Sequence, residues 1–248
     1  MKKIGLLLLS ASLLSFIFLP KESVTVYLIG DSTLANKAIR AYPETGWGMP
    51  FVYFFDSTVT VENHAVNGRS TKSFMEENRW QPVVDQLNEG DYVFIQFGHN
   101  DEVPSKVGRY TTPDEFKANL TRYVVDTRDN NANPVLLTPV ARRKFDEEGK
   151  IVGTHDEYSE IVRTVAREQK VPLIDLDQKS QALLQQLGDA PSKMLFNFLE
   201  PGEHPNYPQG SADNTHFNEL GARKMAELVL AEIRTLGLPL ADRIVVSR

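Results

Sequence analysis

From Val24 onward, apolar runs of strand length alternate with segments of helical period. Val24-Thr25-Val26-Tyr27-Leu28-Ile29 is β-branched and apolar and stops at Gly30, the pattern of a parallel strand covered on both faces. Thr58 to Val66 predicts a second strand, interrupted by Glu62, Asn63 and His64. Tyr92 to Phe97 predicts a third, ended by Gly98, and Pro134 to Thr138 a fourth, ended by Pro139. Val171 to Leu176 reads as the fifth. Helices are predicted from Pro113 to about Arg128 behind an N-cap at Thr112, from His155 to Glu168, and from Asp177 to Leu187. A last helix is predicted from about Asn218 to Leu236, where Leu220, Met225, Leu228, Val229 and Ile233 have helical spacing. Strands alternating with helices predict an α/β fold with a doubly wound parallel sheet. Such a sheet receives ligands outside the carboxyl ends of its strands. The Gly- and Pro-bearing stretch from Phe196 to Thr215 is expected to be an active-site loop rather than a domain boundary.

The predicted strand ends carry the chemistry. The first runs into Gly30-Asp31-Ser32-Thr33, the second into Asn67-Gly68-Arg69-Ser70, and the third into Gly98-His99-Asn100-Asp101. Towards the C-terminus, Asp213 and His216 lie three residues apart, a spacing that can set both side chains on one side of a turn. The carboxylate can then accept the imidazole Nδ1–H and leave Nε2 free to take a serine proton. Taken singly, each residue has a plainer use. Ser32 suits a turn or helix cap, Gly68 a positive-φ turn, and Asn100 a loop-bracing amide. Their order along one sheet edge is what carries weight.

The N-terminus changes the picture of where the chain works. Lys2 and Lys3 precede an apolar run from Ile4 to Leu19, followed by Pro20, the arrangement of a signal peptide over residues 1–22. One domain, residues 23–248, is expected to follow and to be exported, periplasmic or extracellular, without a lasting membrane anchor. The chain has no cysteine, which excludes disulfides, zinc–thiolate sites, a cysteine nucleophile and a lipid-anchored lipoprotein. Its formal charge of −6, or −8 once Lys2 and Lys3 are gone, offers no footprint for nucleic acid. An acidic substrate would therefore need a local cluster of Arg or Lys. No Gly-rich phosphate loop follows the first strand and no metal-ligand motif is present, so neither a nucleotide, a metal nor another cofactor is expected.

Gly30-Asp31-Ser32, Gly68, Gly98-His99-Asn100-Asp101 and Asp213 to His216 together resemble the four ordered blocks of the SGNH (GDSL-type) hydrolases. The resemblance implies a flavodoxin-like three-layer sheet of five strands and a serine esterase. It implies Ser32, Asp213 and His216 as the catalytic residues, and the Ser32 N–H, Gly68 N–H and Asn100 amide as the oxyanion hole. Asn67 to Phe74, Gly46-Trp47-Gly48, Gln96 to Asp101 and Asp213 to Phe217 are similar to the rhamnogalacturonan acetylesterase branch. That likeness implies an acetylated pectic polysaccharide or its oligosaccharides as substrate. Related esterases act on xylan, lipid or thioesters, and a non-catalytic carbohydrate-binding protein is the reading outside enzymes.

Four further residues are candidate substrate contacts. Trp47 is weighed as a sugar-stacking wall against a core position, and Arg69 as a uronate ligand against a solvated loop residue. His99 adjoins Asn100, and His204 lies in the Pro-rich segment before Asp213. Arg142-Arg143-Lys144, balanced by Asp146-Glu147-Glu148, reads better as a solvated loop.

Overall fold

The computed structural model describes residues 22–245; the predicted export segment lies almost wholly outside them. Five parallel strands, β1 (Val24–Gly30), β2 (Val59–Asn63), β3 (Tyr92–Gln96), β4 (Asn133–Leu137) and β5 (Leu173–Ile174), form one sheet in the order β2-β1-β3-β4-β5. Their register runs from Val26 opposite Tyr92 to Gly30 opposite Gln96, and from Tyr92 opposite Asn133 to Gln96 opposite Leu137. Strand alternation decides which layer each side chain enters. Val26, Leu28, Phe94, Val135 and Leu137 face one layer, and Tyr27, Ile29, Val93, Ile95 and Leu136 the other.

Short helices α1 (Gly48–Phe51), α2 (Thr71–Glu76) and α3 (Gln81–Val84) precede β3, and α4 (Pro113–Asp129) follows it. Next come α5 (Asp156–Gln169), α6 (Leu176–Leu187), α7 (Asp189–Ser192) and α8 (Glu219–Thr235). Helix α4 starts at a capping box, with Thr112 and Glu115 each taking the other's backbone N–H. It packs Phe116, Leu120 and Tyr123 with Val162 and Val165 of α5 on one face of the sheet. On the opposite face α8 packs Met225, Val229 and Ile233 beside Trp47 and Phe51. Leu220, expected on that apolar stripe, is exposed, and Ala222 and Ala226 take the close positions against the sheet.

Two expectations change. The segment from Phe196 to Thr215 is not a plain loop: β6 (Phe196–Leu199) and β7 (Ser211–Phe217) form an antiparallel ribbon beside the main sheet. The second strand is shorter than predicted: it ends at Asn63, still paired with Leu28, whose side-chain oxygen accepts the Ala65 N–H while its amide donates to the Leu34 carbonyl and the Asn36 side chain.

Candidate active site

The chain leaves β1 towards β2 on one side and reaches β3, β4 and β5 on the other, so the carboxyl ends of β1 and β3 flank the topological switch point. Gly30 ends β1 where a Cβ would stand 2.5 Å from the Gln96 carbonyl oxygen, so only glycine fits there. The backbone then turns, Ala35 N–H donating to the Asp31 carbonyl at 3.0 Å, and lifts Ser32 to the sheet edge.

Beneath Ser32 lies a buried polar ladder. Trp47 Nε1–H donates to Gln96 Oε1 at 2.7 Å, Gln96 Nε2–H to Thr33 Oγ1 at 2.8 Å, and Thr33 Oγ1–H to Asp31 Oδ1 at 2.8 Å. Trp47 is 0% exposed, so it is not a sugar-stacking wall; it is a core residue whose indole N–H satisfies a buried amide.

Ser32 Oγ lies 2.8 Å from His216 Nε2, and His216 Nδ1 lies 2.7 Å from Asp213 Oδ2. Burial alone would raise the Asp213 carboxyl. Bonds from the His216 ring and from the His216 and Thr215 backbone N–H groups outweigh it and bring the group down to about 2. An ionised carboxylate only accepts, so Nδ1 carries the proton and Nε2 is left to accept from Ser32.

The spacing of Asp213 and His216 works through a bulge. The β6–β7 ladder steps from Phe198 opposite Ala212 to Phe196 opposite Phe217, so β7 carries three more residues over that interval than β6. Asp213 and His216 stand in the excess, and the Asp213 carboxylate holds the bulge closed through the Thr215 and His216 N–H groups.

Gly68 has φ +74° and reaches its place after β2. Asn100, after β3, has its amide fixed on both ends. Lys106 Nζ donates to Asn100 Oδ1 at 2.7 Å, and Asn100 Nδ2–H donates to the Arg69 carbonyl at 2.9 Å. A lysine ammonium has no acceptor, so the amide orientation is decided by chemistry, and the second Nδ2–H remains available to a ligand. Lys106 carried no signal in the sequence: it sits in a turn six residues beyond Asn100.

The other candidates have clear surroundings. His99 is 3% exposed and packs edge-on against His155, ring centroids 4.2 Å apart, so it is a buried neighbour of the site and not a surface contact. Burial, more than the nearby cations, keeps the His99 imidazole well below its ordinary range, and so neutral. Arg69 Nε donates to Glu77 at 2.9 Å and Nη1 to the Asn67 carbonyl, so this guanidinium is engaged within the chain. His204 sits at the outer turn of the ribbon, its ring 5.5 Å from that of Tyr42 and its Nδ1 accepting from the Asn206 N–H. Arg142 and Arg143 do not belong to a solvated loop. Arg142 donates to Thr215 Oγ1, while Arg143, itself buried, bonds Asn214 and Asp189 and braces the bulge from behind. Among the described residues, no group of His, Asp and Glu could hold a metal ion.

Asp101 closes the third block as a structural acid. Its Oδ1 accepts from the Thr71 N–H and from the Thr71 and Thr111 hydroxyls, while Oδ2 is buried without a partner. Burial raises the carboxyl from 3.8 to about 7, the state of a neutral acid whose carbonyl oxygen accepts the three bonds. The folded protein thus keeps a proton that the unfolded chain releases above 3.8, and stability falls as pH rises towards about 7. The slope from this group reaches at most about 1.4 kcal/mol per pH unit. Asp101→Asn keeps the accepting oxygen and removes the titration. Denaturation midpoints measured from pH 4 to 8 should fall less steeply for the variant than for the wild type; parallel curves would contradict this account.

A family model for GDSL-like lipases and acylhydrolases matches residues 28–224. The chain is 44% identical to rhamnogalacturonan acetylesterase RhgT of Bacillus subtilis over 225 residues, covering 91% of this chain and 96% of that protein. It is 36% identical to the probable rhamnogalacturonan acetylesterase YesY of the same species, covering 90% of this chain and 98% of that protein. Among solved structures, protein YxiM of Bacillus subtilis superposes with a TM-score of 0.76 at 26% identity, over 89% of this chain and 58% of that longer one. The chain belongs to the GDSL-like lipase/acylhydrolase family.

Proposed function

We propose that this protein is a serine esterase that removes O-acetyl groups from rhamnogalacturonan or its oligosaccharides. The observation that carries the reaction type is the unbroken hydrogen-bonded chain from Ser32 through His216 to Asp213 at the sheet's switch point. The likeness to RhgT and YesY supports the pectic substrate. In this reading His216 Nε2 takes the Ser32 proton as Oγ attacks the acetyl carbonyl. The oxyanion is met by the Ser32 and Gly68 N–H groups and the free Nδ2–H of Asn100, donors fixed before the substrate arrives. His216 returns the proton to the departing sugar hydroxyl, and water repeats the sequence on the acetyl-enzyme. Asp213 holds the tautomer and stabilises the imidazolium throughout. Lys106 is a positioning residue: its charge on the Asn100 carbonyl oxygen orients the amide and strengthens its N–H as a donor.

Export through residues 1–22 ahead of one domain fits a polymeric substrate met outside the cell. No helix among the described residues is long and apolar enough to cross a membrane. The test is acetate release from acetylated rhamnogalacturonan, xylan and mannan under one set of conditions. Rhamnogalacturonan should be the preferred polymer by about ten-fold or more in kcat/KM, a difference of about 1.4 kcal/mol in transition-state binding. A preference for xylan, or binding without acetate release, would overturn the reading.

A further inference from the structure

The sequence demands a local cation for an acidic substrate, and the structure shows which cations are already engaged. Arg69 is held by Glu77, Lys37 by Glu44 and Asn67, Arg142 by Thr215 and Glu102, and Lys106 by Asn100. Arg109 stands apart. Among the described residues its guanidinium has no carboxylate, carbonyl or hydroxyl partner, although the chain carries 33 acidic residues against 27 Lys and Arg. Both acids of its loop are engaged elsewhere: Asp101 is buried against Thr71 and Thr111, and Glu102 accepts from His155 Nδ1 at 2.8 Å and faces Arg142 at 3.5 Å.

The guanidinium lies on the site itself. A Cβ at position 68 would stand 3.0 Å from Arg109 Nη1 and 3.5 Å from its Cζ, so the fork covers the α-carbon of the glycine whose N–H faces the oxyanion in the proposed mechanism. Its loop is built to stay there. The Arg109 and Tyr110 N–H groups both return to the Lys106 carbonyl at 2.9 Å, Gly108 reverses the chain at φ +76°, and Thr111 N–H ties the loop end to the Asp101 carbonyl at 3.0 Å. The surroundings want an anion. Lys106 is drawn below the ordinary lysine value by burial first, and then by the like charges of Arg142 and Arg109.

We infer that Arg109 receives a substrate carboxylate, that of a uronate in the acetylated chain, at a subsite beside Gly68. The planar fork of arginine pairs with a carboxylate through two parallel N–H···O bonds, a match that a neutral sugar cannot make. The uronate would dock against Gly68 while its acetyl ester, or that of the adjoining sugar, enters the Ser32 site. This deepens the pectic reading and rests on it. It also reconciles an acidic protein with a polyanionic substrate: one unpaired guanidinium at the point of reaction replaces a basic surface.

The measurement is kcat/KM on acetylated rhamnogalacturonan oligosaccharides with free carboxylates and on the same material with those carboxylates converted to primary amides. The enzyme is the full chain, compared with Arg109→Met and Arg109→Lys, after thermal melting shows that each variant is folded. The wild type should favour the free acid by about ten-fold, chiefly through KM, in line with a charge-assisted bidentate pair. Arg109→Met should bring that ratio to near one, and Arg109→Lys should keep part of it as a point charge. A wild type active on both substrates without preference overturns the subsite and leaves the pectic reading standing. So does an Arg109→Met variant that keeps the full ratio, including one that loses activity on both substrates equally. A wild type that ignores both pectic substrates but deacetylates xylan overturns the pectic reading and this subsite with it.

Discussion

Ser32→Ala is expected to remove acetate release, with kcat falling by about 10⁴ or more. The reason is geometric. Ser32 Oγ is the atom held 2.8 Å from His216 Nε2, and it stands in a turn without being one of the core's buried supports. The polar ladder below it runs from Asp31 through Thr33 and Gln96 to Trp47, so removing one oxygen from Ser32 leaves those bonds intact. The expected variant is inactive and folded, with a melting temperature close to the wild type. Because the Ser32 N–H survives the change, it should still bind its substrate, measurable by calorimetry with acetylated oligosaccharide. Activity within a hundred-fold of wild type would remove Ser32 from the mechanism.

Asp213→Asn should cost about as much, near 10⁴ in kcat. The asparagine can still accept the Thr215 and His216 N–H bonds that close the bulge, so the backbone should hold. Its NH₂ would face His216 Nδ1 as a donor. The imidazole would then place its proton on Nε2, where it cannot take one from Ser32. Since the native carboxyl ionises at about 2, no part of the wild type's acid inactivation above pH 4 comes from protonating Asp213. A variant with a small loss, or one whose pH–rate profile alone shifts, would mean that the carboxylate does not set the tautomer.

What could be read from the chain, and what could not, follows from the range of the interactions. The β-branched runs at Val24, Tyr92 and Pro134 are local signals, and each became a strand within a residue or two of its expected limits. The motif residues were legible because a parallel sheet puts strand-end residues on one edge whatever the loops between them do. The β6–β7 ribbon was not legible: Ser211-Ala212-Asp213-Asn214-Thr215-His216 is polar and lacks strand periodicity, and only pairing with Phe196 to Leu199 makes it extended. Trp47 was ambiguous alone, yet Gln96 held a clue. An amide closing an otherwise apolar strand must find partners, and the indole 49 residues away is one of them. Lys106 and Arg109 were invisible because an irregular turn gives no period from which to infer where a side chain points.

The bulged ribbon has a bearing on how such a protein can diversify. Asp213 and His216 hang from a two-stranded element whose inner end is pinned by Phe196 opposite Phe217 in the core, while its outer turn, residues 200–210, begins only past Leu199 opposite Ser211. That turn leans on residues 39–42, in the segment between Ser32 and Trp47, through Asn206 to the Ile39 and Tyr42 carbonyls and Tyr207 to the Ala41 carbonyl. Insertions or deletions there would reshape the surface at the ribbon's outer end without moving the relay's anchor. The architecture thus separates the part that can drift from the part that must keep its spacing, and one reaction can be refitted to new sugars by editing a single turn.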